Sequence, residues 1–367
     1  MGSKHPDFTQ VWGPSEQPNP LRIDKRPLRQ ASIQEYGASV VSLLTALPLL
    51  AARLLAGPRR PTARPEPADF LGVAVSRDPV YGEQLPELAA ELGVKRLLLR
   101  VPVWKRDDFA AYRRFADRFP GCDVVIAVVQ NRQSVCQLPQ WRADLRALFT
   151  AFAGRATHFQ LPIAPNRTKW GCVHMGDALD LLEAAQEVRA DFPWLRLVGP
   201  GIIDFEPIPY LRGLFNQRRY QLDVIGALLY VDRRGSPRNS QYGIFDLAGK
   251  IRLWRAIADL GVRCPLRSAT PLWLTEFNWP LVGTKTWSPT GRTEQVSEDE
   301  AATYLKEYCQ IAYRTGMVER VYWWQLLHPG FGLIDSRDGV LRRRPTFHAF
   351  RRLISGETPL MVEHPPD

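Results

Sequence analysis

The chain from Asp69 to Ser355 repeats one pattern eight times: a short run of valine, leucine and isoleucine, then a segment of helical character. The runs are continuously apolar rather than alternating, which is typical of parallel strands buried on both faces. Eight strand–helix units in a segment of this length match a (β/α)8 barrel, the TIM barrel. The predicted strands are residues 70–76, 96–102, 123–130, 157–163, 195–203, 222–230, 272–276 and 320–325.

A doubly wound open sheet is the competing α/β fold. It would normally carry a glycine-rich phosphate-binding turn after its first strand. Here the first strand is followed by Ser76-Arg-Asp-Pro-Val80 instead, so the sequence favours the barrel. The predicted helices are residues 107–119, 140–153, 177–191, 209–215, 243–260, 297–315 and 346–354.

Residues 1–68 differ in composition, since they hold 10 of the 31 prolines. Three arrangements of their uncharged stretch stay open: packing on the barrel or a partner, lying in a membrane interface beside basic residues, or crossing a membrane. A crossing would require Arg53 and Pro48 inside the span. The predicted division is 1–35, a disordered or extended arm; 36–57, a hydrophobic or amphipathic helix; 58–68, a Pro/Arg-rich linker; 69–355, the barrel; and 356–367, a C-terminal tail.

The net charge and the cysteine content of the chain argue against several classes of function. Five cysteines without C-x-x-C spacing argue against a disulfide framework and a zinc site, and they fit a reducing compartment. No metal or other cofactor is therefore predicted, and the expected location is cytoplasmic, with inner-membrane association left open. A net charge of +10 favours anionic partners. Because this charge is spread along the chain and no nucleic-acid module is recognisable, nucleic-acid binding is not expected.

The predicted seventh strand delivers one carboxylate to its C-terminal end, where TIM barrels carry their working residues. Glu276 is followed by Phe277, Asn278 and Trp279. Indole rings stack on sugars, and amides and guanidinium groups bind hydroxyls, so this rim suits carbohydrate. Glycoside hydrolysis by carboxylates is the reaction that needs the fewest groups beyond these side chains. The alternative is a structural Glu276 paired with a neighbouring arginine.

These segments resemble the clan-A glycoside hydrolases, retaining TIM-barrel glycosidases that include family 39 xylosidases and related exopolysaccharide hydrolases. Leu274–Asn278 is similar to the strand-seven segment whose glutamate is the nucleophile. Residues 223–230 are similar to the strand-six segment whose tyrosine, here Tyr230, hydrogen-bonds the nucleophile. Arg100 occupies the position of the family's strand-two arginine. Residues 322–325, 331–335 and 344–350 resemble the strand-eight tryptophan floor and the closing helix.

Two positions depart from the family pattern. The acid/base motif Asn-Glu-Pro-Asn falls on Ile163-Ala-Pro-Asn166, so Ala164 replaces the acid/base glutamate, and the strand-six histidine is Leu228. Three explanations remain open: a neighbouring acid substitutes, the substrate has an acidic leaving group, or the barrel is catalytically degenerate. The candidate substitutes are Asp204, Glu206, Asp232 and His174.

The sequence therefore leaves open whether the chain is an enzyme. It predicts a retaining glycoside hydrolase acting on a bacterial-type surface polysaccharide or related glycan, or else a glycan-binding or scaffold protein in envelope polysaccharide assembly. The predicted partners are carbohydrate, including an anionic glycan, and a membrane surface reached through residues 36–57. The predicted catalytic residues are Glu276, Tyr230 and Glu206, and the predicted substrate-binding residues are Arg100, Trp104, Asn166, Lys169, Trp170, Asp232, Asn278, Trp279, Trp324 and His328.

Overall fold

Eight parallel strands pair in chain order and close on themselves, with β1 hydrogen-bonded to β8. The computed structural model describes residues 8–24, 26–57, 64–261, 271–284, 287 and 294–361. The predicted (β/α)8 barrel is confirmed. Its strands are β1 Leu71–Val75, β2 Arg96–Pro102, β3 Asp123–Val129, β4 His158–Gln160, β5 Arg196–Ile203, β6 Val224–Leu228, β7 Leu272–Phe277 and β8 Arg320–Trp323; β9 Ile334–Asp335 and β10 Arg342–Arg343 form a separate antiparallel pair.

Helices cover the outside of the barrel. One helix between β1 and β2 was not predicted, although a proline near its start and Gly93 at its left-handed end are the usual punctuation of a helix. The helices are α1 Arg26–Ala31, α2 Ile33–Leu55, α3 Pro67–Phe70, α4 Leu85–Leu92, α5 Phe109–Asp117, α6 Arg132–Cys136, α7 Leu138–Phe152, α8 Met175–Arg189, α9 Pro207–Leu214, α10 Leu247–Gly261, α11 Glu298–Thr315 and α12 Pro345–Ser355.

Large side chains fill the barrel interior. Trp273 and Tyr322 are buried there with small residues such as Ala74 and Ala127, so bulky and small side chains share the interior. Gly72 makes room for Tyr322, because a Cβ at this position would lie 2.5 Å from the tyrosine ring. The interior is therefore a packed core, and the working residues of such a barrel lie beyond the C-terminal ends of its strands.

Within the predicted disordered or extended arm, residues 26–31 form α1 and residues 33–35 begin α2, so this part of the arm is helical instead. Residues 8–24 lie at the C-terminal end of the barrel strands, and α2 begins at Ile33 rather than at residue 36. Of the predicted linker 58–68, residues 58–63 lie outside the described part, as do residues 362–367 of the predicted tail.

Helix α2 lies along the barrel wall and is attached to it at both ends. Glu35 in its first turn pairs with Arg212 over 2.6 Å, and Arg53 in its last turn pairs with Asp259 over 2.7 Å. Within the described residues it is the one helix long and apolar enough to cross a membrane, by length and composition alone. Apolar side chains are exposed on its outer side: Ile33, Tyr36, Val40, Val41, Leu44, Leu47, Leu49 and Leu55.

Candidate active site

Glu276 is held in place at the mouth of the barrel by two donors. The Tyr230 hydroxyl donates to Oε1 over 2.5 Å, and Nη2 of Arg100 donates to Oε2 over 2.5 Å. Glu276 is 6% exposed. Each carboxylate oxygen therefore has one short, charge-assisted or phenolic hydrogen bond, which fixes the plane of the group.

An irregularity in β7 aims this carboxylate. The register of β7 against β8 shifts between Leu274 and Phe277. As a result Thr275 and Glu276, although consecutive, both bond to side chains from other strands: Thr275 accepts a hydrogen bond from Gln160 over 2.6 Å. Such bulges commonly re-aim a side chain at a barrel rim.

Arg100 links several parts of the site from the end of β2. Its guanidinium lies over the Trp324 ring at 3.6 Å from the centroid and over the Trp170 ring at 4.8 Å. Burial lowers the pKa of Arg100, and the charge of Glu276 opposes that shift. An arginine stays protonated at neutral pH, so the positive charge that orients Glu276 is permanent. Nη1 of the same guanidinium donates to Oε1 of Gln17 over 3.0 Å.

Tyr230 is a neutral hydrogen-bond donor. Burial, and then the neighbouring charge of Glu276, raise its pKa well above the ordinary value. The guanidinium of Arg234 lies over its ring at 3.2 Å from the centroid, and Lys250 donates to its backbone carbonyl over 3.3 Å. These contacts hold the phenol in a single orientation toward Glu276.

Lys169 brings a second cation to the site from the short helix Thr168–Trp170. Burial lowers its pKa first, the charge of Arg100 lowers it further, and Glu276 opposes the shift. The side chain of Gln130 positions this loop by donating to the carbonyls of Ile163 and Trp170 over 2.7 and 2.9 Å.

The end of β4 carries no acid. Ala164 is fully buried and has φ 44°, a left-handed conformation that is uncommon outside glycine. Of the sequence-predicted substitutes, Glu206 is engaged at both oxygens, one by Arg167 and the other by Asn166 over 2.9 Å. Asp204 also pairs with Arg167, over 2.7 Å.

The two other predicted substitutes, His174 and Asp232, make different contacts. His174 caps α8 by accepting a hydrogen bond from the amide of Asp177 over 3.2 Å. Asp232 begins the short helix Asp232–Arg234 beside Lys250, and its charge raises the pKa of that lysine against a larger lowering by burial. Among the described residues, the position of the acid/base glutamate at the end of β4 is therefore occupied by Ala164, and Glu206 and Asp204 are paired with Arg167.

Comparisons with known proteins identify the architecture. No family model and no curated protein matches the sequence. Among solved structures, AbfB, a family 51 α-L-arabinofuranosidase from Bifidobacterium longum, matches at TM-score 0.54 and 14% identity, over 81% of this chain and 74% of that one. A GH30 endoxylanase from Clostridium papyrosolvens matches at TM-score 0.52 and 13% identity, over 82% and 73%. Virulence factor SghA from Agrobacterium tumefaciens matches at 0.53 and 12%, over 79% and 97%. The chain shares the barrel fold of these proteins.

Two other sequence-predicted site residues, Trp279 and His328, pack against neighbouring aromatic rings. Trp279 is fully buried, its rings lie against Trp323 and Tyr308, and its Nε1 donates to the Gly235 carbonyl over 2.9 Å. This placement corrects its prediction as a sugar-stacking residue. His328 stacks on Phe331 at 3.8 Å between centroids, and burial lowers its pKa to about 3.

The two asparagines brace backbone segments. Asn166 donates to the carbonyl of Ile203 over 2.9 Å and accepts from its amide over 3.0 Å. Asn278 donates to the carbonyl of Trp324 over 2.8 Å. Both amides therefore position strand ends. Within the described residues, no group of three or more His, Cys, Asp or Glu side chains could hold a metal ion.

The structure thus brings together six of the predicted residues in one cluster at the C-terminal end of the strands, here called the cup, and five of the six are buried. It also shows residues that sequence reasoning missed, because the N-terminal segment enters this cup. Trp12 lies 4.7 Å from Trp104 and 6.0 Å from Trp170 between ring centroids. The cup residues are Glu276, Tyr230, Arg100, Trp324, Trp170 and Trp104, with Lys169 at the same rim.

Proposed function

We propose that this protein is a glycoside hydrolase-like protein that acts on a polysaccharide or related glycan through a retaining reaction with Glu276 as nucleophile. The observation that carries this proposal is the Glu276 carboxylate, gripped by Tyr230 and Arg100 inside an indole-lined cup. Retaining glycosidases need a fixed carboxylate against the anomeric carbon and an aromatic surface for the sugar. The glycosidase-like fold agrees with this role.

Arg100 and Tyr230, which donate hydrogen bonds to Glu276, have different roles in this reaction. When Glu276 attacks, it changes from a carboxylate to an ester, and its negative charge is lost. Arg100 stabilises the carboxylate both before attack and when water releases it again. Tyr230, held neutral by burial, donates a hydrogen bond without adding charge. Both interactions therefore orient the nucleophile and stabilise it as a leaving group in the second step.

The missing acid limits the substrates. General acid catalysis is typically worth about 10² to 10⁴ in rate. Ala164 supplies no proton, and Glu206 is committed to Arg167 and Asn166. We therefore expect turnover of glycans whose leaving groups need little protonation, and slow turnover of ordinary sugar alkoxides.

The second candidate function is a catalytically degenerate, glycan-binding or scaffold protein in envelope polysaccharide assembly. The observation that favours it is the left-handed, buried Ala164, since a proton donor there would have to be accommodated in a closed backbone turn. In this role the same cup binds a glycan, and Glu276 accepts hydrogen bonds from its hydroxyls.

We also propose that the outer face of α2 contacts a membrane surface. Ile33, Tyr36, Val40, Leu44 and Leu47 recur every three or four residues and are all more than half exposed. This spacing makes one continuous apolar stripe, as in interfacial helices. Association of a cytoplasmic protein with the inner membrane is the corresponding location.

One experiment separates the two candidate functions. A panel of aryl glycosides with very good leaving groups is offered to the wild type, Glu276→Gln and the matched control Glu206→Gln. Mass spectrometry then detects any covalent glycosyl adduct. An adduct in the wild type and in Glu206→Gln, but not in Glu276→Gln, supports the hydrolase. Glycan binding without an adduct across the panel supports the binding protein.

A further inference from the structure

Residues 11–19 form a closed loop. The amide of Gly13 donates to the Gln17 carbonyl over 2.8 Å, and the amide of Asn19 donates to the Val11 carbonyl over 2.8 Å. The tip, Pro14–Glu16, contains two consecutive non-glycine residues in the left-handed region, Ser15 at φ 57° and Glu16 at φ 55°. Such a conformation persists only where surrounding contacts maintain it.

Those contacts come from the rim of the barrel. Ser15 donates to Oε1 of Gln325 over 3.1 Å, and its hydroxyl lies 3.2 Å from that of Ser76. Upstream, Gln10 donates to the Lys169 carbonyl over 2.6 Å. The loop is thus tied to the strand ends of β1 and β8 and to the loop after β4.

Two loop side chains occupy places that a sugar would need. Trp12 lies against Trp104 and Trp170, the ring surfaces of the cup. Gln17 accepts a hydrogen bond from Arg100, the same guanidinium that holds Glu276. A glycan that reaches Glu276 must therefore replace both the indole and the amide.

Glu16 is the third loop residue whose side chain occupies a place that a sugar would need. Its Oε1 accepts a hydrogen bond from the Tyr112 hydroxyl over 2.6 Å and lies 3.3 Å from Nζ of Lys105. Tyr112 is buried, and the guanidinium of Arg77 lies over its ring at 4.7 Å from the centroid. Burial and the Glu16 charge raise the pKa of Tyr112, so its hydroxyl remains a donor. One phenol and one cation, those of Tyr112 and Lys105, therefore make a built site for a carboxylate.

We propose that residues 11–19 are a displaceable internal ligand of the cup, and that Lys105 and Tyr112 bind the carboxylate of an acidic sugar once the loop leaves. This inference rests on the proposed glycan-binding function and names its substrate class as uronate-containing glycans. The loop offers the groups that a uronate would offer: Trp12 an apolar ring face, Gln17 a neutral oxygen, and Glu16 a carboxylate.

A reversible disulfide tests the displacement in the full chain. The Ser15 and Ser76 hydroxyls are 3.2 Å apart, so the pair Ser15→Cys and Ser76→Cys would tie the loop to β1 when oxidised. Calorimetric titration with oligogalacturonate and oligo-alginate should show binding at least tenfold weaker to the oxidised protein than to the reduced one. Wild type and both single variants, in the same oxidant and reductant, control for the native cysteines. Equal affinity in the two redox states would overturn the proposal.

Substitution of the carboxylate tests the ligand class. Glu16→Gln should raise the affinity for oligouronates about tenfold, because the loop loses its charged contact. Val11→Ala, at a 62% exposed position of the same loop, is the matched control and should change nothing. Adding Tyr112→Phe to Glu16→Gln should remove most of the preference for oligouronates over their carboxyl-reduced forms. Weaker binding by Glu16→Gln, or an equal loss for both ligands with Tyr112→Phe, would overturn the proposal.

A readout without sugar separates this inference from the proposed function. The thiol of the single variant Ser15→Cys should react with a maleimide about tenfold faster when Glu16→Gln is also present. An equal labelling rate in both backgrounds would contradict the displaceable loop, whatever binds. Faster labelling, together with no oligosaccharide bound by any variant, would leave a mobile loop but overturn both the glycan function and the sugar carboxylate site.

Discussion

The Tyr230 hydroxyl lies 2.5 Å from Oε1 of Glu276 and donates to it from two residues beyond the end of β6. Tyr230 and Glu276 are 46 residues apart in the chain, and the parallel pairing of β6 with β7 brings them together. The contact therefore couples the orientation of the carboxylate to the fold itself.

Tyr230→Phe should lower turnover of an activated aryl glycoside by about 10² or more, as loss of one preorganised donor typically does. The matched control is Tyr210→Phe, since Tyr210 is fully buried and its hydroxyl has no hydrogen-bond partner among the described residues. Steady-state kinetics on both variants is the measurement. Equal rates for Tyr230→Phe and the wild type would contradict the role assigned to the Tyr230 hydroxyl.

Ala164→Glu should raise turnover of substrates with poor leaving groups, by up to about 10² to 10⁴ if the new carboxyl protonates the leaving oxygen. It should also lower stability by about 1 to 3 kcal/mol, because a longer side chain must fit a buried site. Ala164→Gln has the same size without the proton and should lower stability alone. The measurements are the turnover rates and the thermal melts of the two variants. If Ala164→Glu folds but is no faster than Ala164→Gln, position 164 is not the position of the acid.

Acid should destabilise the protein in part through His328. Its pKa is lowered from 6.5 to about 3, by burial first and then by Arg344. Between these values the unfolded state binds the extra proton, so this stabilisation is complete above pH 6.5 and is lost as pH falls toward 3, by up to about 5 kcal/mol in all. His328→Asn retains an acceptor for the Gly330 amide and should melt with a weaker pH dependence between pH 7 and pH 5. Parallel curves for variant and wild type would contradict this assignment.

The full-length protein should co-sediment with vesicles that contain phosphatidylglycerol. Leu44→Glu with Leu47→Glu should lower the bound fraction about tenfold or more, since both side chains lie on the exposed stripe of α2. Ile244→Glu, at a 76% exposed position outside α2, is the control for added charge on an apolar surface residue. Unchanged sedimentation of the double variant would remove α2 from the membrane proposal.

Most of the barrel could be predicted from the sequence because strands buried on both faces leave continuous apolar runs. The end of β7 was predicted only in part. Residues two apart on a strand share a face, so Phe277 and Trp279 point outward together, where both lie against Tyr308 of α11. Strict alternation from Trp273, which lies in the barrel interior, would have placed both residues inside, and the sequence did not reveal the register shift between Leu274 and Phe277 that turns them outward.

The N-terminal loop left a much weaker signal. Residues 11–19 are polar and rich in proline, a composition typical of disordered segments. Their contacts reach far along the chain, as between Gln17 and Arg100, 83 residues apart. No local pattern encodes such a pairing. Trp12, followed at once by Gly-Pro-Ser, was the one hint of an aromatic anchor beside a turn.

The guanidinium of Arg100 donates hydrogen bonds to both Gln17 and Glu276, so removing the loop from the cup costs the hydrogen bond to Gln17. When the loop withdraws, the Nη1 donor of Arg100 is left to water or to an oxygen of a ligand, so a ligand that enters can take over the hydrogen bond that Gln17 gives up. The measured affinity of the intact chain for a glycan would then be lower than that of the open cup, in proportion to the fraction of molecules whose loop has withdrawn. Glycans that bind too weakly to displace the loop would therefore not reach Glu276.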